Sequence, residues 1–379
     1  LAAAVTDGKD GDVTLFSPAS TARLIVKVGS ALLVDPDGAV RREWLAGLVK
    51  DIAARTRDGQ QVAIVSSGAI ALGARRLGLA KGGRASLEDA QAAAATGQIA
   101  LSQTWAELLG AEGLTAAQML VTLGDLEDRR RYLNAAATLG RLLGLGVVPI
   151  INENDSVATE EIRFGDNDRL AARVAQAAGA QGVVLLSDVD GLYDANPSHN
   201  PDARHIPVVE RIDAVAAMAD TRSASGMGSG GMVSKLSAAR IAVSAGIPLA
   251  IASGRVDRPL AGGQRHTLFV AERTAPARKA WLAGGLTAAG AIHIDAGAAA
   301  ALNGGGSLLA AGAVRIEGGF LRGDLVTVMG PGGAVARGLS EYDAGDAQRL
   351  LGRRSDEHEA ILGYAPRTAL VHRNHLALL

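Results

Sequence analysis

The sequence predicts an α/β protein: a three-layer α/β/α sandwich with a mainly parallel sheet, followed by a small β-rich barrel. Three observations carry this. Short apolar runs rich in Val and Ile recur along most of the chain, each bounded by Gly, Asn or Ser. Segments with helical spacing of apolar residues alternate with them. From about Ala289 the pattern changes to brief β-like runs separated by Gly-rich turns.

The apolar runs are Leu24–Val28, Val62–Ser66, Gln118–Thr122, Val147–Ile151, Val183–Ser187 and Ile247–Ala252. Continuous apolar runs of this length suit strands buried on both faces, as in a parallel sheet. Between them, Trp44, Leu45, Leu48, Val49 and Ile52 fall on one helical face. Leu126, Leu133, Leu139, Leu142 and Leu143 mark a second helical segment, and Leu170, Val174 and Ala178 a third. Residues 21–254 therefore read as one layered domain. Residues 255–288, mixed in Pro, Gly and charge, read as its end plus a linker, with Thr267–Val270 as an edge strand. Residues 289–379 read as the barrel, with strands at Ile292–Ile294, Val314–Ile316, Leu325–Val328 and Val335–Ala336 and a helix at Ala344–Leu351. Residues 1–20 lack a continuous apolar run and read as a disordered lead-in.

Composition narrows the function. Lys and Arg number 38 against 39 Asp and Glu, so the net charge of −1 argues against bulk affinity for nucleic acid or an anionic membrane. There is no cysteine, which removes disulfides, thiolate metal sites and a thiol nucleophile. No apolar stretch approaches the ~20 residues of a spanning helix, so the expected compartment is the cytoplasm. The basic residues are mostly Arg. Only six are lysines: Lys9, Lys27, Lys50, Lys81, Lys235 and Lys279.

Two of those lysines, Lys27 and Lys235, fall next to glycine loops at positions suited to phosphate. Lys27 lies in the strand Leu24–Val28, which runs into Gly29-Ser30. Burying an unpaired ammonium is costly, so a Lys in an apolar strand calls for an anion, and open α/β sheets place ligands at the carboxyl ends of their strands. Lys235 ends the run Gly226-Met227-Gly228-Ser229-Gly230-Gly231-Met232-Val233-Ser234-Lys235, which opens a helix. A Gly-rich loop leading into a helix start cradles phosphate, although the spacing is not that of a Walker A loop. Ser66-Ser67-Gly68 at the end of the second strand offers a similar small-residue turn. The densest polar cluster is Asn152-Glu153-Asn154-Asp155 with Gly165-Asp166-Asn167-Asp168. It is compatible with metal binding, with binding of a substrate amine, or with orienting the lysines. Ser187-Asp188 either lines a nucleotide pocket or caps a turn. The seven histidines are scattered and read as surface or satisfied residues, and Arg322-Gly323-Asp324 reads as a turn.

With those elements in place, the chain resembles the amino-acid kinase family. Within it the resemblance is to members that phosphorylate the side-chain carboxylate of free glutamate. It rests on VKVGS (26–30), SSGAIALG (66–73), PIINENDSVATEEIRFGDND (149–168), DGLY (190–193) and GMGSGGMVSK (226–235). FLRGDLVTVMG (320–330), ARGLSEYDA (336–344) and ILGY (361–364) resemble the PUA domain that follows the kinase domain in many bacterial members. The resemblance implies the amino-acid kinase fold and transfer of the γ-phosphoryl group of ATP to the γ-carboxylate of L-glutamate. That reaction gives L-glutamyl 5-phosphate, the first step of proline biosynthesis, with proline as feedback inhibitor. By position it implies that Lys27, Lys235 and Asp168 are catalytic, with Asp168 holding the lysines. It implies that Ser67, Asp155 and Asn167 bind glutamate. Lys27, Ser187, Asp188, Ser229, Gly230, Gly231, Met232, Val233, Ser234 and Lys235 would contact ATP. Mg²⁺ would be carried by the ATP phosphates with no protein metal site, and the chain would form a dimer or tetramer. Ser at 229 and 234 replaces a common Thr and keeps the hydroxyl.

This chemistry suits the residues. The γ-carboxylate is ionised near neutral pH and needs no general base. The difficulty is bringing two anions together, which calls for alignment and positive charge. A compact ammonium serves that better than a guanidinium fork. The alternatives are another carboxylate kinase of the family, or an RNA-binding protein acting through the PUA-like segment. Residues 289–379 hold eight Arg, no Lys and nine acidic residues, poor electrostatics for RNA.

Overall fold

The computed structural model describes residues 15–35, 37–157, 167–197, 199–215, 231–271, 288–364 and 367–379. They form two compact units, Leu1–Glu127 with Ala135–Glu272, and Asp128–Asn134 with Arg273–Leu379.

The first unit is built on an eight-stranded sheet. Its strands in chain order are β1 (Arg23–Val28), β2 (Gln61–Val65), β3 (Ala116–Val121), β4 (Val148–Glu153) and β5 (Gly182–Ser187). β6 (Leu192–Tyr193) and β7 (His205–Ile206) form a separate hairpin. β8 (Val208–Val209), β9 (Leu249–Ser253) and β10 (His266–Phe269) complete the large sheet. The spatial order is β3-β4-β2-β1-β5-β9-β10-β8. Every pairing is parallel except β9 with β10. The strand expected at Thr267–Val270 is therefore present, but two-residue β8 takes the edge beyond it.

The six apolar runs all became strands of this sheet. The main difference lies in β4, which continues two residues past the predicted Ile151. Leu120 and Val121 on β3 keep pairing with Asn152 and Glu153, so these polar residues lie within a fully buried strand.

Side chains alternate across a strand, and this decides where β1 points. Leu24, Val26 and Val28 join a core with Trp44, Leu45, Leu48, Val49 and Ile52 of α2 (Arg42–Arg57; the short α1 spans Ser30–Leu33). Leu101, Trp105 and Leu109 of a long helix complete that core. Ile25 and Lys27 face the opposite layer. That layer contains α7 (Asn167–Ala178) and α8 (Met232–Ser244), which pack on each other, with α7 against β1 and β5 and α8 against β9. The segment Leu126–Leu143, read as one helical stretch, is two helices, α5 (Leu123–Glu127) and α6 (Arg129–Gly144).

The long helix, α4 (Leu87–Ala111), was not anticipated. Its sequence is rich in Ala, so apolar and polar faces contrast little. Ser86 caps its start by accepting from the Asp89 amide at 3.1 Å. Its packing against α3 (Ala69–Leu77) depends on small residues. A Cβ on Gly97 would stand 1.8 Å from the Ala69 carbonyl oxygen, and one on Gly73 1.7 Å from that of Ala93.

Residues 255–260 are tied to α2. Asp51 accepts from Arg258 Nε at 2.5 Å and from the Leu260 amide at 2.9 Å, and Trp44 donates to the Val256 carbonyl at 3.0 Å. Residues 272–287 of the expected linker, and residues 1–14 of the expected lead-in, lie outside the described residues.

In the second unit the expected barrel is a five-stranded sheet: β11 (Gly290–Ile294), β12 (Ala313–Gly318), β13 (Leu325–Gly330), β14 (Gly333–Leu339) and β15 (Leu376–Leu378). The order is β12-β11-β13-β14-β15 and only β11 with β13 is parallel. Helix α9 (Ala296–Asn303), capped by Asp295, and β15 were not expected. The predicted helix at Ala344 is α10 (Ala344–Arg349), and α11 spans His358–Leu362. Ile292, Phe320, Val326, Val328, Leu350 and Leu370 centre its core. Arg322-Gly323-Asp324 lies in the turn between β12 and β13, as expected. His358 departs from its reading as a surface or satisfied residue, being fully buried with no hydrogen-bond partner on either ring nitrogen among the described residues. Among the described residues no helix is long and apolar enough to cross a membrane.

The tight α3–α4 crossing is testable. Gly97→Ala should lower unfolding free energy in urea by about 2 kcal/mol, because the added methyl must push two backbones apart. Gly110→Ala, on the same helix where a Cβ meets nothing, should be neutral or up to about 1 kcal/mol stabilising. Equal effects at both sites would show that the close approach is unimportant.

Candidate active site

Three ionised side chains meet at the carboxyl ends of the central strands. Lys27 is the penultimate residue of β1, Asp168 stands in the first turn of α7, and Lys235 in the first turn of α8. Lys27 Nζ lies 2.7 Å from Asp168 Oδ1, and Lys235 Nζ lies 3.1 Å from Asp168 Oδ2. One carboxylate thus holds two ammonium groups, one on each oxygen. All three residues are buried.

Burial by itself would push the Asp168 carboxyl up. The charges of Lys27 and Lys235, and their hydrogen bonds, outweigh it and hold the group below the usual carboxylate range. The triad still carries two positive charges against one negative. A buried cluster of that composition favours an incoming anion.

A second group is neutral and polar. Gly68, with φ at +97°, turns the chain from β2 into α3, a conformation that suits glycine. Just before it, Ser66 and Ser67 meet Asn167. The Asn167 Nδ2 group donates to Ser67 Oγ at 2.8 Å, the Ser66 carbonyl at 3.1 Å and Asn152 Oδ1 at 3.2 Å. Trp105 Nε1 donates to Ser66 Oγ at 3.0 Å, and Asn152 Nδ2 donates to Gln98 Oε1 at 2.7 Å. The Asn167 Oδ1 acceptor is buried and has no partner among the described residues.

Asp155 lies in the turn after β4. It lines a cavity of about 290 Å³ together with Gln98, Glu153 and Asn154. Burial pushes its carboxyl up to about 6. On the other side of the sheet centre, Ser187 ends β5 and donates to Asp188 Oδ1 at 3.1 Å. Gly231 is the N-cap of α8, so the amides of its first turn, at Met232, Val233 and Ser234, begin beside Lys235. Val233 itself is exposed. Ser229 and Gly230 of the expected ATP loop, and Gly165 and Asp166, lie outside the described residues.

The structure thus joins Lys27, Asp168 and Lys235 in one cluster and Ser67 with Asn167 in another. Gln98 and Trp105 were not singled out in the sequence. Their only signal is a polar or aromatic residue in an Ala-rich helix. Among the described residues no group of three or more His, Cys, Asp or Glu could hold a metal ion. Asp168, the carboxylate beside the lysines, already has an ammonium on each oxygen and does not fit as a metal ligand.

Residues 22–253 match the model of the amino acid kinase family. The chain belongs to the amino acid kinase family. Residues 290–362 match the PUA domain. The chain is 75% identical to the glutamate 5-kinase of Sphingopyxis alaskensis, over 97% of this chain and 100% of that one. It is 62% identical to the glutamate 5-kinase of Novosphingobium aromaticivorans, over 98% and 100%. It is 58% identical to that of Zymomonas mobilis, over 99% and 96%.

The central carboxylate gives a prediction for this kinase-family site. Asp168→Asn leaves two buried ammonium groups without their anion and should cost about 3 kcal/mol of stability at neutral pH. In the wild type the folded carboxyl sits below its unfolded value. Its contribution is therefore present above the unfolded value and lost as pH falls through the folded one. Denaturant titrations at neutral and acid pH check both statements: the wild-type advantage over Asp168→Asn should shrink in acid.

Proposed function

We propose that the chain is a glutamate 5-kinase, transferring the γ-phosphoryl group of ATP to the γ-carboxylate of L-glutamate as the first step of proline biosynthesis. The observation that carries this is the buried pair of lysines on one carboxylate, in a chain so similar along its length to glutamate 5-kinases. The nucleophile is an ionised carboxylate, so the site needs no base to make it. It needs cations where two anions approach. Lys27 and Lys235 supply them. Asp168 is a positioning residue that keeps the two ammonium groups apart and aimed. The start of α8, with Gly231 to Ser234, and the Ser187-Asp188 corner take the nucleotide, together with Ser229 and Gly230.

Ser67, Asn167 and Asp155 take glutamate, with Asp155 as counter-ion of its ammonium group. Mg²⁺ bound to the ATP phosphates would offset their charge. Among the described residues the carboxylate at the triad, Asp168, already has an ammonium on each oxygen. Residues 21–254 form the kinase domain, 255–288 its end and a linker, and 289–379 a PUA domain with a structural or regulatory role. Proline acts as feedback inhibitor, the active form is a dimer or tetramer, and the compartment is the cytoplasm.

ADP release with a panel of acceptors tests the substrate. Glutamate should support turnover, and proline should suppress it. Aspartate, N-acetylglutamate, carbamate and uridine monophosphate should give background. A better acceptor among these would overturn the assignment. Lys27→Ala and Lys235→Ala should each lower kcat by about a hundredfold or more.

The Asp155 carboxyl supplies a pH signature. With its value raised to about 6, the ionised form that pairs with an ammonium is lost below that pH. KM for glutamate should rise about fourfold between pH 7.5 and about 5.5 while KM for ATP changes little. In Asp155→Asn that rise should vanish.

A further inference from the structure

We propose that Gln98 is a positioning residue that sets which way the glutamate-side amides face, and so makes the site select for an ammonium group. This rests on the reading of glutamate as substrate. Gln98 lies on α4 and is buried against the polar cluster. Its own orientation is determined by its neighbour. Ser102 Oγ donates to the Gln98 main-chain carbonyl at 2.7 Å, so its lone pairs receive Gln98 Nε2 at 3.2 Å. Gln98 Oε1 is thereby turned toward Asn152, whose Nδ2 donates to it at 2.7 Å.

The consequence passes along a buried chain of amides. With its Nδ2 toward α4, Asn152 presents Oδ1 to the Glu153 amide at 2.9 Å and to Asn167 Nδ2 at 3.2 Å. Asn167 then has its donor group facing Asn152, Ser66 and Ser67. Its Oδ1 is left as a buried acceptor without a partner among the described residues. Turning Asn152 over would set its NH₂ against the Asn167 NH₂ and the Glu153 amide, donor against donor. Asn167 would then either keep that donor–donor clash or turn as well, losing the Ser66 carbonyl and setting a donor where the acceptor now stands. A buried acceptor answers to a ligand that donates, and an ammonium group donates only. Leaving such a group unmatched is penalised more than forming the bond is rewarded. Gln98 also lines the cavity beside Asp155, and through these bonds it acts on Asn152 and Asn167.

The test compares L-glutamate with glutarate, the same dicarboxylate without the amine. In Gln98→Met, of similar size but without the amide, KM for glutamate should rise about tenfold, from one mismatched buried polar group. The kcat should stay within about threefold, and the Ki of glutarate as a competitive inhibitor within about twofold. Gln98→Glu keeps an acceptor for Asn152 and should remain near wild type in the ratio of the two constants. Ser102→Ala frees the Gln98 amide without opening the core, and should raise KM for glutamate about threefold with Ki for glutarate unchanged. That variant decides the matter if Gln98→Met does not fold. Parallel rises in KM and Ki, or an unchanged ratio in Gln98→Met and Ser102→Ala, would overturn the role of Gln98. Failure of the wild type to phosphorylate glutamate would instead overturn the substrate reading.

Discussion

A carboxylate held between two ammonium groups imposes demands on everything around it. Asp168 is buried, and so are Lys27 and Lys235. Each alone in that environment would be expensive to charge, by several kcal/mol even after relaxation. They are tolerated only because β1, α7 and α8 deliver them to within hydrogen-bond distance of each other. The parallel sheet achieves this by bringing its strand ends and helix starts to one edge. The residual positive charge of the cluster is then available to an anion. That availability is the property a phosphoryl-transfer site requires.

The polar cluster around Asn152 and Asn167 is built differently. It contains few charges and many amides, and its geometry depends on a close crossing of two helices. Gly73 on α3 and Gly97 on α4 let the helix backbones touch. That contact places Gln98 beside Asn152 and Trp105 beside Ser66. A larger residue at the crossing would move the Ser66-Ser67-Gly68 turn relative to α4. Small residues in an Ala-rich helix thus set the geometry of the polar cluster by what they leave out. The long α4, which adds little amphipathic contrast of its own, becomes the support for the polar chain.

Much of this was legible in the residues. Val- and Ile-rich runs marked the buried strands, because parallel strands covered on both faces need apolar side chains on both. Lys27 and Lys235 stood out because lysine is scarce in this chain and both lie next to glycine loops suited to phosphate. The polar block around Asn152 and Asn167 stood out because packing does not account for it. Other features were hidden. Asn152 and Glu153 lie in β4, since backbone pairing with β3 outweighs their polarity. α4 escaped notice because alanine gives no clear periodicity. β10 is displaced from the edge by β8, and two residues are too few to register as a strand. In the second unit α9, again Ala-rich, was missed for the same reason as α4.

The sequence by itself determined the alternation of strands and helices, the change of pattern near residue 289, and the identity of the groups able to handle an anion. These depend on local periodicity and on residue chemistry, which survive without coordinates. The family resemblance implied that Asp168 holds the lysines, but only the tertiary structure decided that it pairs with both, one on each oxygen. The residues are separated by 141 and 67 positions along the chain, and no local rule relates them. It also decided the direction of each buried amide, because an amide is symmetric in shape and its orientation is set by whichever donor or acceptor happens to be packed against it.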